Sequence, residues 1–298
     1  MSIGYACVMA GVPEISLKTC TLRYATEEKL RHVILHNLWT LKDMLEYNLR
    51  NNILLFRISS DMIPFGSHPA NRLEWWKDYG ELFGMLGDII RGAGMRVSMH
   101  PGQYTVLNSP DAAVVERAAD DLRYHARFLE SLGVDSSHKI ILHTGGVYGN
   151  KGQSAERFVE NVKRLPDSIR SRLVLENDEK CYDVADVLDI AERASLPVVF
   201  DNLHHSLNHR TDGEASPVHW IRRCRGTWRP EDGRQKIHYS QQQAGGKPGA
   251  HSLTIDIAEF LDFYSSISDM EIDIMLEVKD KNLSAVKCIQ AVSGLNRT

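Results

Sequence analysis

The sequence has little cysteine, and no two cysteines form a Cys-x-x-Cys pair. Its five cysteines are odd in number and scattered over 298 residues. Such spacing argues against a disulfide framework and against a structural zinc knuckle. A reducing compartment, the cytoplasm, is therefore expected.

Two further absences narrow the possible functions. No stretch reaches the roughly 18 apolar residues of a membrane span, and the first ten residues lack the basic and apolar regions of a signal peptide. The formal net charge is −4, so the chain as a whole does not attract nucleic acid. Any binding to DNA must use a local basic patch or the charge of bound metal ions.

Short apolar runs alternate with helical patterns along the whole chain. The runs predict eight strands, at 3–7, 54–58, 96–100, 139–143, 173–176, 198–201, 236–240 and 272–277. Near-continuous apolar strands are typical of a parallel sheet that helices cover. The pattern predicts an α/β fold, a (β/α)8 TIM barrel that forms a single domain over residues 1–298. An open doubly wound sheet is the alternative, but it would hold its outer strand ends too far apart to build one site.

Helix starts are marked by polar residues that can cap the first turn. The predicted N-caps are Thr26, Ser109, Ser154, Asp183 and Ser216, two of which precede a proline. A further helix is predicted from residue 75 to residue 91, ended by a glycine.

Six of the short apolar runs lead directly into a residue type that binds metal ions. These residues are His100, His143, Glu176, Asp201, His238 and Glu277. A single histidine at a strand end is more often a hydrogen-bonded structural residue, but six such endings in one barrel favour a common site. All strands of a barrel open their carboxyl ends on one face, so these side chains are expected to converge there.

Two more histidines extend this set to eight. His204 follows Asp201 by three residues, and His251 lies in a Pro-Gly-Ala-His loop. Eight ligands exceed the needs of one ion and predict about three divalent ions with shared carboxylates. Mixed imidazole and carboxylate ligands suit zinc, manganese or iron better than calcium or magnesium. Clustered cations of this kind polarise phosphates and activate water, so phosphodiester hydrolysis is the reaction class indicated.

Polar and aromatic residues are predicted around the mouth of the barrel. A Pro-Gly turn after His100 pushes Gln103 and Tyr104 outward, where they could enter a base stack. The alternative for Tyr104 is packing on its own loop. Arg57 and His68 belong to a further polar rim at the end of the second strand, and His68 is a candidate phosphate or catalytic contact.

A basic stretch with interleaved tryptophans precedes the seventh strand and includes Arg222, Arg225 and Arg229. Because it leads into His238, it is expected to lie beside the metal residues and to contact the DNA backbone; a merely solvated face is the alternative. Lys236, two residues before His238, is a candidate phosphate contact or a lysine modified near the metals.

Several segments together resemble the UV damage endonuclease family. They are Ser-Met-His-Pro-Gly-Gln-Tyr at 98–104, Leu-His-Thr-Gly-Gly at 142–146, Leu-Glu-Asn-Asp at 175–178, Val-Phe-Asp-Asn-Leu-His-His at 199–205 and Pro-Gly-Ala-His at 248–251. The resemblance follows nearly the whole chain in order. It implies a TIM barrel related to endonuclease IV, three divalent ions with Mn²⁺ first and Zn²⁺ or a mixture as alternatives, and damaged double-stranded DNA as the partner, with no obligate protein partner.

The same resemblance implies incision immediately 5′ of cyclobutane pyrimidine dimers, 6-4 photoproducts and, in some members, abasic sites, leaving a 3′-hydroxyl and a 5′-phosphate. It assigns the eight ligands named above to the metals, Gln103 and Tyr104 to lesion probing, and Tyr5 to the damaged-nucleotide pocket. Lys236 matches a lysine that can be carboxylated. Glu176, His68 and Lys236 are the candidate catalytic residues.

Two other functions are compatible with parts of this pattern. A sugar isomerase or epimerase would use Glu176, Asp201, His238 and Glu277, but it needs one or two ions and leaves four imidazoles unexplained. A damage-binding module without cleavage would not need a cluster that activates water.

Overall fold

The computed structural model describes residues 1–209 and 216–295. Within these residues, eight parallel strands close into a barrel in sequential order, which confirms the predicted TIM-barrel fold. The strands are β1 (Ile3–Cys7), β2 (Leu55–Ile58), β3 (Arg96–Met99), β4 (Ile140–His143), β5 (Leu173–Glu176), β6 (Val198–Asp201), β7 (Lys236–Tyr239) and β8 (Asp273–Leu276).

Strand register brings candidate ligands of neighbouring strands side by side. His143 on β4 is paired with Glu176 on β5, and Asp201 on β6 is paired with His238 on β7. All four residues belong to the carboxyl-terminal half of their strands. Strand register alone therefore places these two pairs of candidate ligands at the same end of the barrel, without any contribution from the loops.

Helices connect the strands and cover the outside of the barrel. In the described part of the chain they are α1 (Glu27–Arg50), α2 (Trp75–Asp78), α3 (Gly80–Gly92), α4 (Ala112–Ser131), α5 (Lys151–Arg164), α6 (Asp167–Arg170), α7 (Val184–Ala194), α8 (Asn202–Leu207), α9 (Pro217–Arg225), α10 (Ile257–Ser266) and α11 (Asn282–Leu295). The helix predicted from residue 75 is two helices, which meet at Tyr79. None of the described helices has the length and apolar character that crossing a membrane requires.

Three of the predicted helix caps are confirmed and two are wrong. The side chains of Thr26, Asp183 and Ser216 each accept a hydrogen bond from a backbone amide in the first turn. In place of Ser109 and Ser154, the caps are Asp111 of α4 and Asn150 of α5. Both true caps are asparagine or aspartate residues in loops, whose short side chains reach the first-turn amides at least as well as serine.

The barrel interior and the layer beneath the helices have separate apolar cores. Inside the barrel, one small cluster contains Ala6, Leu55 and Met275, and another contains Ile141, Val174 and Val199. These residues alternate along the strands with members of the main core, as expected for side chains on opposite faces of a strand. Trp228 packs against the second cluster from the amino-terminal end of the strands.

A half-buried imidazole between two strands makes folding stability depend on pH. The backbone amide of Val97 donates to Nδ1 of His138 at 3.1 Å, which requires an unprotonated nitrogen. Burial lowers the pKa of His138 to about 4. The unfolded chain binds this proton near pH 6.5, so the stability that His138 contributes is present above that pH and is lost as the pH falls toward 4.

We therefore expect His138→Gln to flatten the pH dependence of stability. Between pH 7 and pH 5, the wild-type protein should lose about 2 kcal/mol more free energy of unfolding than the variant. Urea unfolding at both pH values measures this difference. His32→Gln, on the exposed face of α1, is the matched control and should follow the wild type; equal losses in all three proteins would contradict the assignment.

Candidate metal centre

Glu176, the last residue of β5, lies at the middle of a cluster of imidazoles. Its Oε1 is 2.7 Å from Nδ1 of His238 and 3.8 Å from Nδ1 of His204. Its Oε2 is 3.1 Å from Nε2 of His100 and 3.5 Å from Nε2 of His143. The carboxylate is almost fully buried. The four imidazoles around it come from the ends of three other strands and from one helix.

Asp201 contributes one oxygen to the backbone and leaves the other free. Its Oδ1 accepts from the amide of His204 at 2.7 Å and thereby caps α8, so His204 lies in a short helix and not in a loop. Its own amide donates to Oδ1 of Asn177 at 2.9 Å. The position of His204 beside the cluster is therefore set by the strand that ends at Asp201.

Glu277 extends the cluster to the last of the predicted ligands. Its Oε1 lies 3.3 Å from Nδ1 of His238, and its Oε2 lies 3.8 Å from Nε2 of His251. His251 reaches this point because the loop that carries it folds back on itself through an antiparallel bridge to Gln242. The guanidinium of Arg57 pairs with Glu277 from inside the barrel. The structure thus brings all eight predicted ligands into one connected cluster.

The buried carboxylates of the cluster lie close together and shift the pKa of neighbouring groups. Burial alone would raise the pKa of Glu176, but His238 and His143 hold it well below its ordinary value. Burial raises the pKa of Asp201 to about 6, and Glu176 adds to the rise. Burial would lower the pKa of His204, but Asp201 and Glu176 raise it to about 9. Bound cations would relieve the repulsion between these carboxylates.

Backbone carbonyls orient two of the imidazoles for metal binding. Nδ1 of His100 lies 2.9 Å from the carbonyl of Pro101, and Nδ1 of His204 lies 3.0 Å from that of Asn177. A carbonyl can only accept, so both Nδ1 atoms carry a proton and both Nε2 atoms keep a lone pair in the neutral ring. This is the usual support for a histidine that binds a metal through its other nitrogen.

Buried ligand atoms without partners also fit a metal. Among the described residues, Oδ2 of Asp201, Nε2 of His238 and Nδ1 of His143 are buried and make no hydrogen bond, although nearly all buried polar atoms in proteins have a partner. Ligand atoms of His100, His143 and Glu176 lie within 4.8 Å of one another, and so do those of Glu176, Asp201 and His238. The donor set therefore fits at least two ions that share Glu176.

The turn after His100 presents the predicted probe to solvent. Tyr104 is 73% exposed, and Gln103 beside it is also exposed. A Cβ atom at position 102 would lie 2.4 Å from the Tyr104 ring, so the ring packs directly over the glycine backbone. Thr105 ties the turn to α4 through a hydrogen bond from its Oγ1 to Asp121 at 2.6 Å. Tyr104 therefore lies against its own turn and is also open to solvent, and its role as a probe stays a prediction.

The basic stretch lies at the opposite end of the barrel from the metal centre. Its predicted DNA contacts are Arg222, Arg225 and Arg229. Nε1 of Trp228 donates at 2.8 Å to the carbonyl of Val198, which begins β6, whereas the candidate ligand Asp201 ends that strand. The predicted position beside the metals is therefore wrong, because a segment that precedes a parallel strand lies at the amino-terminal end of that strand.

Tyr5 is not at the surface either. Its side chain is fully buried in the main core, with its ring 5.1 Å from that of Phe56. Alternation along β1 directs Ala6 to the interior and Tyr5 to the layer beneath the helices. The prediction that it lines a pocket for the damaged nucleotide is not supported by this position.

Lys236 and His68 have different surroundings from the eight ligands. Lys236 is fully buried in the barrel, so the phosphate-contact alternative is wrong. Burial lowers its pKa well below the ordinary value, and Arg96 adds to the effect; carboxylation of this lysine stays a prediction. His68 is exposed, and no contact within the described ranges joins it to the cluster; its catalytic role stays a prediction.

Two charged residues at the centre, Arg57 and Glu179, were not predicted from the sequence to contact the candidate ligands. Arg57 is expected only on a polar rim, yet its guanidinium is buried against Glu277. Glu179 places its Oε2 at 3.9 Å from Nε2 of His204. A signal for Glu179 was present, because it lies three residues after a strand-end ligand, as His204 does. No local signal marks the Arg57 contact, which joins residues at opposite ends of the chain.

Comparison with known proteins gives consistent matches over the whole chain. The sequence model of the family described as UV-endonuclease UvdE matches residues 1–297. A UV DNA damage endonuclease of Clostridium perfringens (strain 13 / Type A) is 43% identical over 299 residues, which cover 100% of this chain and 72% of that protein.

Solved structures agree with these sequence matches. The crystal structure of SacUVDE superposes with a TM-score of 0.93 at 41% identity and covers 100% of both chains. Endonuclease IV from Thermus thermophilus superposes with a TM-score of 0.60 at 14% identity, again over 100% of both chains. The second likeness shows the fold alone.

Proposed function

The chain belongs to the UV-endonuclease UvdE family, and from this membership we propose that it is a metal-dependent endonuclease that incises duplex DNA at UV lesions. The observation that carries the proposal is the convergence of eight ligand-type side chains at the barrel mouth, next to an exposed Gln103–Tyr104 pair. We propose that residues 1–298 act as one catalytic domain and that damaged double-stranded DNA is the partner.

The metal centre is proposed to hold three divalent ions, with Mn²⁺ as the first candidate. His100, His143 and Glu176 would hold one ion, and Glu176, Asp201 and His238 would hold another. His204, His251 and Glu277 would complete the set. When bound, the ions would supply Lewis acidity toward the scissile phosphate and the attacking water. Arg57 fixes Glu277 in place through its buried ion pair, and Asn177 does the same for Asp201 through a hydrogen bond.

Gln103 and Tyr104 are proposed to test whether a base pair is damaged. An exposed ring anchored by a short turn can replace the stacking of a displaced base, and an amide can satisfy its hydrogen bonds. A damaged base pair is already weakened, so it takes less free energy to open than a sound one. Cyclobutane dimers and 6-4 photoproducts, and abasic sites as a third class, are the proposed substrates.

An incision assay tests the proposal directly. The purified protein with Mn²⁺ is incubated with a short duplex that contains one thymine dimer and carries a 5′ label. We expect one nick immediately 5′ of the dimer, with a 3′-hydroxyl that a polymerase can extend and a 5′-phosphate on the other fragment. The same duplex without the dimer is the control and should remain intact. Absence of incision with several divalent metals, together with turnover of a sugar substrate, would overturn the proposal in favour of an isomerase.

A further inference from the structure

A groove begins at Tyr104 and runs between α4 and the segment that follows β2. We call it the Arg72–Arg117 groove and define it by His68, Arg72, Trp76, Tyr104, Arg117 and Arg127. It lies on the same side of the barrel as the metal centre, because its walls are formed by residues that follow β2 and β3. It is therefore continuous with the exposed turn that carries Tyr104.

Most charged groups in the groove already have partners. Arg123 pairs with Asp120, and the guanidinium of Arg127 stacks at 4.0 Å over the ring of Trp76. The carboxylate of Asp121 accepts from Ser67 at 2.9 Å, in addition to the bond from the Tyr104 turn. These contacts shape the walls, and the positive charges of Arg123 and Arg127 are offset by the negative charges of Asp120 and Asp121 in the same groove.

Two arginines and one histidine remain available. Arg72 and Arg117 are exposed, and neither makes a hydrogen bond or an ion pair within residues 1–209 and 216–295. Nδ1 of His68 accepts from the amide of Ala70 at 3.0 Å, so the neutral ring carries its proton on Nε2 and can donate outward. One acidic side chain of the groove, Asp61, carries the opposite charge, and its carboxylate also has no partner in the described residues. The available charge is net positive.

We propose that the Arg72–Arg117 groove binds the sugar–phosphate backbone of the duplex beside the lesion, with Arg72 and Arg117 on phosphates. The inference rests on the proposed function and adds a binding surface to it. Planar guanidinium groups match phosphate geometry, and a chain with net charge −4 needs such a local patch to hold DNA. The basic stretch around Arg225 cannot serve beside the centre, because it lies at the other end of the barrel.

Salt dependence of DNA binding tests the groove separately from catalysis. Affinity of the Mn²⁺-loaded protein for an undamaged duplex is measured over a range of NaCl concentrations. The double variant Arg72→Ala/Arg117→Ala should lower the slope of log K against log salt by about 2 and weaken binding roughly 10- to 100-fold at moderate salt. Asp61→Asn should have the opposite effect on affinity and strengthen DNA binding, because it removes a negative charge that repels phosphate.

The matched control is Arg222→Ala/Arg229→Ala, which removes the same charge at the far end of the barrel and should keep the wild-type slope. A control that lowers the slope while the groove variant does not would overturn the proposal. So would a groove variant that binds DNA normally but loses affinity for polyglutamate, because the groove would then be a site for an acidic protein. If the groove variant lowers the slope as expected but the wild-type protein never nicks a dimer, the groove proposal is supported and the proposed function is refuted.

Discussion

Glu176→Gln is expected to lower the rate of incision at a thymine dimer by about 1000-fold or more. The substitution keeps the side-chain volume but removes the one carboxylate that both candidate ligand groups share. It also leaves one oxygen where the carboxylate has two, which face His238 and His100 respectively. Single-turnover incision with saturating protein measures the loss without interference from weaker DNA binding.

A second measurement identifies the cause of this loss. We expect the variant to bind fewer Mn²⁺ ions per chain than the wild type in equilibrium dialysis, because a shared ligand supports more than one ion. Glu130→Gln, an exposed carboxylate on α4, makes the same chemical change away from the site and should retain full incision and full metal content. Normal metal content together with normal incision in Glu176→Gln would show that this carboxylate is not part of the centre.

Tyr104→Ala is expected to reduce the preference for dimer-containing over undamaged duplex by about 10- to 100-fold. The estimate follows from base–aromatic stacking, which contributes about 1–3 kcal/mol per base. The metal centre should be unaffected, because the ring is 73% exposed and no hydrogen bond or ring contact within the described residues joins it to the candidate ligands. The ratio of incision rates on the two duplexes, measured at equal metal content, gives the preference.

Tyr104→Phe is the matched control for this experiment. It keeps the ring and removes only the hydroxyl group, so the preference should remain close to that of the wild type. If Tyr104→Ala incised dimer-containing and undamaged duplexes with the wild-type ratio, the turn would have no role in lesion sensing. The metal centre would then have to distinguish damaged from sound DNA without it.

The sequence was sufficient to predict the fold and the convergence of the candidate metal ligands. Both follow from one regularity, because apolar strands that end in His, Asp or Glu deliver these residues to the same face of a parallel barrel. Even His204 and His251 belong to the cluster, although they lie outside the strands. His204 is placed by the helix cap at the end of β6, which a sequence displays directly, whereas His251 is placed by a loop that folds back through the bridge to Gln242.

The errors have two geometric causes. Arg222, Arg225 and Arg229 are close to His238 in sequence, but the strand between them spans the barrel wall and separates them from it. Tyr5 is close to the mouth along β1, but alternation turns its side chain to the wrong face. The pairing of Arg57 with Glu277 joins residues 220 positions apart, and no local pattern indicates it.

The packing inside the barrel has a kinetic consequence. Apolar clusters fill the interior and Trp228 covers the amino-terminal end, so the described part of the chain leaves the mouth as the entrance to the centre. A duplex seated over Tyr104 would cover that entrance. Ions present when DNA arrives would then stay until it departs, and the rate at which metal exchanges with solvent would be governed by the residence time of the DNA.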